Sequence, residues 1–379
     1  MDFSLSEEQQ LLCDEIRRFG VERIRPGLRE RDLAHEFPRE IIAELGEMGL
    51  LGMLIAEEYG GAGMDALSYC LAIEELAAVC PSTAVTLSVT NSVCAWPISR
   101  FANEETKRRA LPELAAGALG GFCLTEPESG SDAGAMKSTA RRDGDHWVIR
   151  GEKAWITNAS EARWFVVFAK TDPEAGKRGI SAFAVPASSA GLKVGNSEEK
   201  LGLRASTTSA VFLEECRVPA ANLLGEVGQG FKIALATLDH SRLGIAAQSV
   251  GIHRRALELA SGYARERVQF GKPIAEHQAV RFQIAQIATE LAAATALTHH
   301  AAVVADHHRD AGRFASQAKA YASEAANRAC AAALQIHGGN GFSDEYEISR
   351  LYRDVRVTTI YEGTSEMQRL VIARQLLST

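Results

Sequence analysis

Three long segments, 231–265, 275–311 and 313–337, are rich in alanine and carry few helix breakers. Alanine is the best helix former, and such lengths cannot be strands. Helices this long and apolar must pack on one another, so the last third of the chain reads as a bundle. Gly338 and Gly339 close the third segment as glycines past a helix end do. A final helix follows Gly363, with Thr364 or Ser365 as cap and with Ser365 and Gln368 at capping-box spacing. Residues 1 to about 120 are helical as well. "SEEQQLLCDEIRRFG" puts Leu11, Leu12, Ile16 and Phe19 on one face behind Ser6 as N-cap, and Pro81 stops the helix of "LSYCLAIEELAAVC".

The texture changes near Gly121. "HWVIRGEKAWIT", "RWFVVFAKT", "GISAFAVPA" and "TTSAVFLEECRVP" are short, rich in β-branched and aromatic residues, and separated by turn formers. The expected architecture is α+β and multidomain. It comprises a helical domain (1–120), a small central β-barrel or sandwich (121–225) and a C-terminal four-helix bundle (226–379). At 379 residues one core would not suffice. The net charge of −7 and the absence of a basic run point away from nucleic acid and anionic membranes. Seven scattered cysteines, none in a C-x-x-C pair, fit reduced thiols. Neither a signal segment nor a membrane-length apolar run is seen, so a cytoplasmic location is expected.

Four loops carry the chemistry-bearing residues. In "CLTEPESGSD" the short side chains of Ser129, Gly130 and Ser131 let backbone and hydroxyls approach a ligand, though a plain turn reads the same. In "WITN", Trp155 and Thr157 share a strand face and offer a flat ring and a hydroxyl, though a buried strand Trp is the ordinary case. In "RERVQFGKPI", Arg265, Arg267 and Lys272 can hold a pyrophosphate or simply solvate a helix end. "QIHGGNGF" is glycine-rich but follows no strand, so it is not a dinucleotide fingerprint. His300 and His307 lie on one helical face, but no carboxylate or cysteine completes a set, and no metal is expected.

Together these loops resemble the acyl-CoA dehydrogenase family over essentially the whole chain. "CLTEPESGSDAGA" is similar to the family's first signature, "QIHGGNGFSDEYEISRLYRDVR" to its second, and "YEGTSEMQR" to the segment holding the catalytic glutamate. The C-terminal part looks most like short-chain and related branched-chain bacterial members. The resemblance implies FAD-dependent α,β-dehydrogenation of a short-, branched- or medium-chain acyl-CoA to the trans-2-enoyl-CoA. Electrons would leave to an electron-transferring flavoprotein. An oxidase using oxygen and a non-catalytic flavin-binding scaffold are the competing readings.

Glu362 is then the base, its pKa raised by apolar neighbours such as Ile360 and Tyr361 and lowered by the helix that follows. Its N–H, with a ribityl hydroxyl, would clamp the thioester oxygen. Ser241 occupies the position of the family's alternative glutamate. The resemblance places Leu124, Thr125, Ser131, Trp155, Thr157 and Thr364 at FAD. It places Arg267, Phe270, Gln278, Gln335 and Gly339 at a neighbouring subunit's FAD, which implies a homotetramer built as a dimer of dimers. Ser131, Asp239, Arg242, Tyr361 and Gly363 would meet the substrate. Two departures stand out, Ala159 where glycine is common and Glu128 where a small residue is usual. "PSTAVTLSVTN" lacks the arginine of members that also decarboxylate.

Overall fold

A computed structural model describes residues 4–307 and 311–377. Its N-terminal part is helical, with α1 Glu7–Phe19, α2 Leu28–Ala34, α3 Arg39–Glu47, α4 Ala66–Val79, α5 Pro81–Val89, α6 Trp96–Phe101 and α7 Glu104–Ala115. Ser6 caps α1 through a full capping box with Gln9. The buried face of α1 differs from expectation at Leu11, which is exposed, whereas Cys13 and Ile16 are buried. At 3.6 residues per turn Leu11 lies roughly 140° around the helix from Ile16, while Leu12 lies about 40° away. Pro81 does more than end a helix. Cys80 is extended, and Pro81 opens α5, where its missing N–H costs nothing.

The middle of the chain forms strands β1 Leu119–Cys123, β2 Thr139–Asp143, β3 His146–Thr157, β4 Ala162–Lys170, β5 Ile180–Pro186, β6 Leu192–Ser197, β7 Thr208–Pro219 and β8 Leu223–Leu224. They make one eight-stranded sheet in the order β6-β7-β3-β2-β4-β5-β8, with β1 added in parallel to β4. Strand β4 shows why "RWFVVFAK" is apolar throughout. Phe165, Val167 and Ala169 face the β core with Phe183 and Val211. Trp164, Val166 and Phe168 face α6, α7 and the start of the bundle, through Ile98, Leu111 and Ile233. A strand buried on both faces loses its alternation.

The C-terminal part comprises α8 Gly230–Glu266, a two-stranded hairpin (β9 Val268–Gln269, β10 Lys272–Pro273), α9 Gln278–His307, α10 Ala311–His337, α11 Glu347–Val355 and α12 Ser365–Leu377. The expected 275–311 helix begins three residues later, and its residues 308–310 lie outside the described ones. Ala315, Ala318, Ala322, Ala326, Ala329 and Ala333 form a buried seam on α10, spaced by three and four residues. Small side chains let the helices approach closely. At Gly251 of α8 even one Cβ would meet the Glu74 carbonyl of α4 at 2.2 Å, so α4 is locked to the bundle. No helix among the described residues is long and apolar enough to cross a membrane. His300, on α9, sits edge-on to Phe314 with ring centroids 5.2 Å apart.

Candidate active site

Glu362 stands at the join between α11 and α12, with φ 52°, followed by Gly363 with φ 91°. Glycine adopts this left-handed region freely, whereas a glutamate there costs about 1–2 kcal/mol. The turn is held from two sides. Gln368 Nε2 donates to the carbonyls of Glu362 (3.3 Å) and Gly363 (2.8 Å), and Lys319 Nζ donates to the Gly363 carbonyl at 2.7 Å. Thr364 is the cap of α12, its Oγ1 accepting from Met367 N at 3.4 Å. The capping-box spacing of Ser365 and Gln368 is therefore not used, because Gln368 is occupied by the turn and Ser365 is already helical.

Oε2 of Glu362 is buried and has no hydrogen-bond partner among the described residues. Burial raises this carboxyl to about 7, and the charges of Lys319 and Arg242 offset only part of the rise. Desolvation thus outweighs the cations. Ile360 contributes little to that desolvation, since its side chain is exposed, contrary to the expectation. Tyr361, the neighbour of Glu362, packs instead on a wall formed by Val85, Val89, Val93 and Leu203. Tyr361 Oη donates to Gln248 Oε1, and Tyr69 Oη lies 2.8 Å from Ser88 Oγ.

On α8, buried Arg242 donates to Asp239 and, at 3.1 Å, to Ser316 Oγ. Asp239 is pressed onto α10 so closely that a Cβ on Gly312 would meet its carboxyl at 2.7 Å. Burial pushes the Asp239 carboxyl above the usual range. Ser241 is buried and donates within its own helix to Leu238 O (3.2 Å).

The first loop is anchored by a buried pair absent from the sequence reading. Lys153, inward on β3, donates to Glu126 at 2.7 Å, and Glu126 also accepts from Lys137 N (2.5 Å) and Ser138 N (3.1 Å). This fixes Leu124, buried, and Thr125, half-buried, at the end of β1. Ser129 turns inward and donates to Asp132 O at 2.7 Å, so of the short hydroxyls only Ser131 stays exposed. Glu128 is paired with Lys137 at the surface, which compensates the charge of that departure.

Trp155 and Thr157 are not two places along a regular strand. The β3–β7 register shifts between Lys153 and Ile156, and Trp155 takes φ 62°. The bulge leaves the indole 60% exposed and Thr157 half-buried. Asn158, also left-handed, is buried and donates to Thr86 O (3.1 Å) and Gly120 O (3.2 Å), tying β3 to α5 and β1. Ala159 is buried in the β core, so its methyl is absorbed there.

A second group gathers at one end of the bundle. Phe270 (φ 53°) and Gly271 (φ 78°) form the tip of the β9–β10 hairpin, both left-handed as tight hairpins require. Phe270 is 93% exposed, and Arg265, Arg267, Lys272 and Gln278 are exposed beside it. Tyr263, near the end of α8, stacks on His337 at 4.3 Å and accepts from Asn340 Nδ2 at 3.0 Å, which brings Gln335 and Gly339 to the same end. In "QIHGGNGF" only Gly341 is crowded by its own chain, where a Cβ would meet Leu334 O at 2.5 Å. Gly338 and Gly339 border open space.

Models of the acyl-CoA dehydrogenase N-terminal, middle and C-terminal domains match residues 6–118, 121–216 and 228–377. The chain belongs to the acyl-CoA dehydrogenase family. It is 46% identical to the human mitochondrial short-chain specific acyl-CoA dehydrogenase over 374 residues, 98% of this chain and 91% of that one. It is 41% identical to the solved butyryl-CoA dehydrogenase from Megasphaera elsdenii, with a TM-score of 0.98 and both chains covered completely. A chain in a solved structure on the electron transferring flavoprotein of Acidaminococcus fermentans is 43% identical, also with a TM-score of 0.98 and complete coverage of both.

This acyl-CoA dehydrogenase is an FAD-dependent oxidoreductase. Its residues fit the cofactor: an exposed indole is held on a bulge, with the hydroxyl of half-buried Thr125 on the loop that the Glu126–Lys153 pair anchors. Ala154 N donates to Thr125 O at 3.0 Å, which couples the loop directly to the bulge.

Proposed function

We propose that Glu362 takes the α proton of a short-chain acyl-CoA as the thioester becomes the trans-2-enoyl-CoA. The observation that carries the reading is the partnerless, buried Glu362 Oε2 with its carboxyl raised to about 7. A base serves best when its pKa lies near the working pH. Bound FAD supplies the two-electron hydride acceptor that no side chain offers. Leu124, Thr125, Ser131, Trp155, Thr157 and Thr364 would hold it within the subunit, and Arg267, Phe270, Gln278, Gln335 and Gly339 from a neighbour. Asp239, Arg242, Tyr361, Gly363 and Ser131 would meet the substrate. The relatives named short-chain specific and butyryl-CoA support a short acyl chain. An electron-transferring flavoprotein is the proposed electron acceptor.

Anaerobic mixing with butyryl-CoA should bleach the flavin, and octanoyl-CoA should do so more slowly, since each methylene is worth about 1–3 kcal/mol in a closed pocket. Glu362→Gln should retain FAD and slow bleaching by at least about 100-fold. Retained turnover in that variant would remove Glu362 as the base.

A further inference from the structure

We propose that Lys319 is a positioning residue for the base. From α10 it holds the left-handed Glu362–Gly363 turn by its carbonyl and supplies the cation that lets Glu362 ionise inside the protein. The proposal rests on Glu362 being the base. Lys319 is 0% exposed, and burying an ammonium is costly unless something answers it. Its hydrogen bond goes to the Gly363 carbonyl at 2.7 Å rather than to a carboxylate. Gln368 already donates to that carbonyl at 2.8 Å, so the lysine is not needed merely to satisfy it. What Lys319 adds is charge, set beside a carboxyl whose buried Oε2 has no hydrogen-bond partner among the described residues.

The other charged and titratable groups around the pair leave that role open. Arg242, from α8, also favours an ionised Glu362, but less than Lys319 does, and its guanidinium is already engaged by Asp239 and Ser316. Glu324 on α10 and Glu366 on α12 flank Lys319, but Glu324 is paired with Arg369 at 2.5 Å, and Glu366 lies 3.9 Å from the same arginine. Tyr361, on the turn itself, and Tyr69, from α4, both feel the Glu362 charge, and burial keeps both phenols neutral. Burial pulls the Lys319 ammonium down to about 8, which leaves it protonated at neutral pH.

The test is the rate of anaerobic flavin reduction by butyryl-CoA against pH, with FAD-loaded protein. In the wild type the rate should rise along an acid limb near pH 7. Lys319→Met, which removes the charge at similar length, should move that limb up by at least about one unit, a tenfold slower reaction on its acid side. Lys319→Gln, which keeps a donor for the carbonyl, should move it equally, because charge and not the hydrogen bond sets the limb. A limb that stays in place in either folded, FAD-loaded variant overturns the proposal. So does the failure of both variants to yield FAD-loaded protein, which would make Lys319 purely structural. An acid limb that persists at full rate in Glu362→Gln would instead overturn the base assignment.

Discussion

A carboxyl raised by burial also couples Glu362 to stability, with a definite sign. Its folded value of about 7 lies above an unfolded value near 4.3, so the folded state binds this proton more tightly. The associated stability is complete below about pH 4 and is lost as pH rises through 7. A neutral isostere escapes that loss. FAD-loaded Glu362→Gln should therefore melt above the wild type near pH 8, with the advantage fading toward pH 5. Thermal denaturation at the two pH values checks this, and an equal difference at both would contradict it. Glu362 was singled out in the sequence by the resemblance of "YEGTSEMQR" to the family's glutamate segment, since an apolar run, a glycine and a helix cap alone would equally frame a capping carboxylate. Lys319 and Lys153 were not. In "SQAKAYASE" and "RGEKAWIT" each looks like the solvated lysine that such positions usually carry. Only the folded chain shows that the α10 seam and the β core enclose them.

Among elements, the long helices and apolar strands were legible because period and composition act locally. The bulge in β3 was not, since Trp155 and Thr157 keep the spacing of a regular strand while the backbone between Lys153 and Ile156 does not. The β9–β10 hairpin was missed for a related reason, its two-residue strands being shorter than any pattern. What holds the bulge beside the first loop is the Lys153–Glu126 pair, with both side chains buried. Removing one partner leaves the other charge stranded, at about 3–5 kcal/mol. Lys153→Met should lower stability by that order and loosen bound FAD. Adding Glu126→Gln should restore part of both, because no lone charge remains. Denaturant unfolding and the flavin-to-protein absorbance ratio read the two effects. A double variant as damaged as the sum of the singles would show that the pair does not act as a unit.

For the whole molecule, the two groups of candidate cofactor residues lie on different parts of the chain, and the second ends in side chains that one chain leaves bare. Phe270 is 93% and Phe342 91% exposed at the same end of the bundle as Arg267, Gln335 and Gly339. Exposed phenylalanines on the hairpin and on the glycine-rich turn are the kind of side chain that a partner chain would cover. The proposed tetramer accounts for this if the bundle end of one subunit reaches the FAD of another. Phe270→Asn separates that account from simple stickiness, because asparagine tolerates the left-handed backbone, adds no charge beside Arg267 and removes the apolar contact. Losing one buried phenylalanine is worth about 1.5–3 kcal/mol, a roughly ten- to hundredfold weaker association. Light scattering after size exclusion should show dissociation at concentrations where the wild type stays assembled. Bound FAD per chain should fall in parallel, because each dissociated chain keeps only half of the proposed cofactor contacts. Dissociation with full retention of FAD would assign the hairpin to assembly alone and return the whole cofactor site to a single subunit.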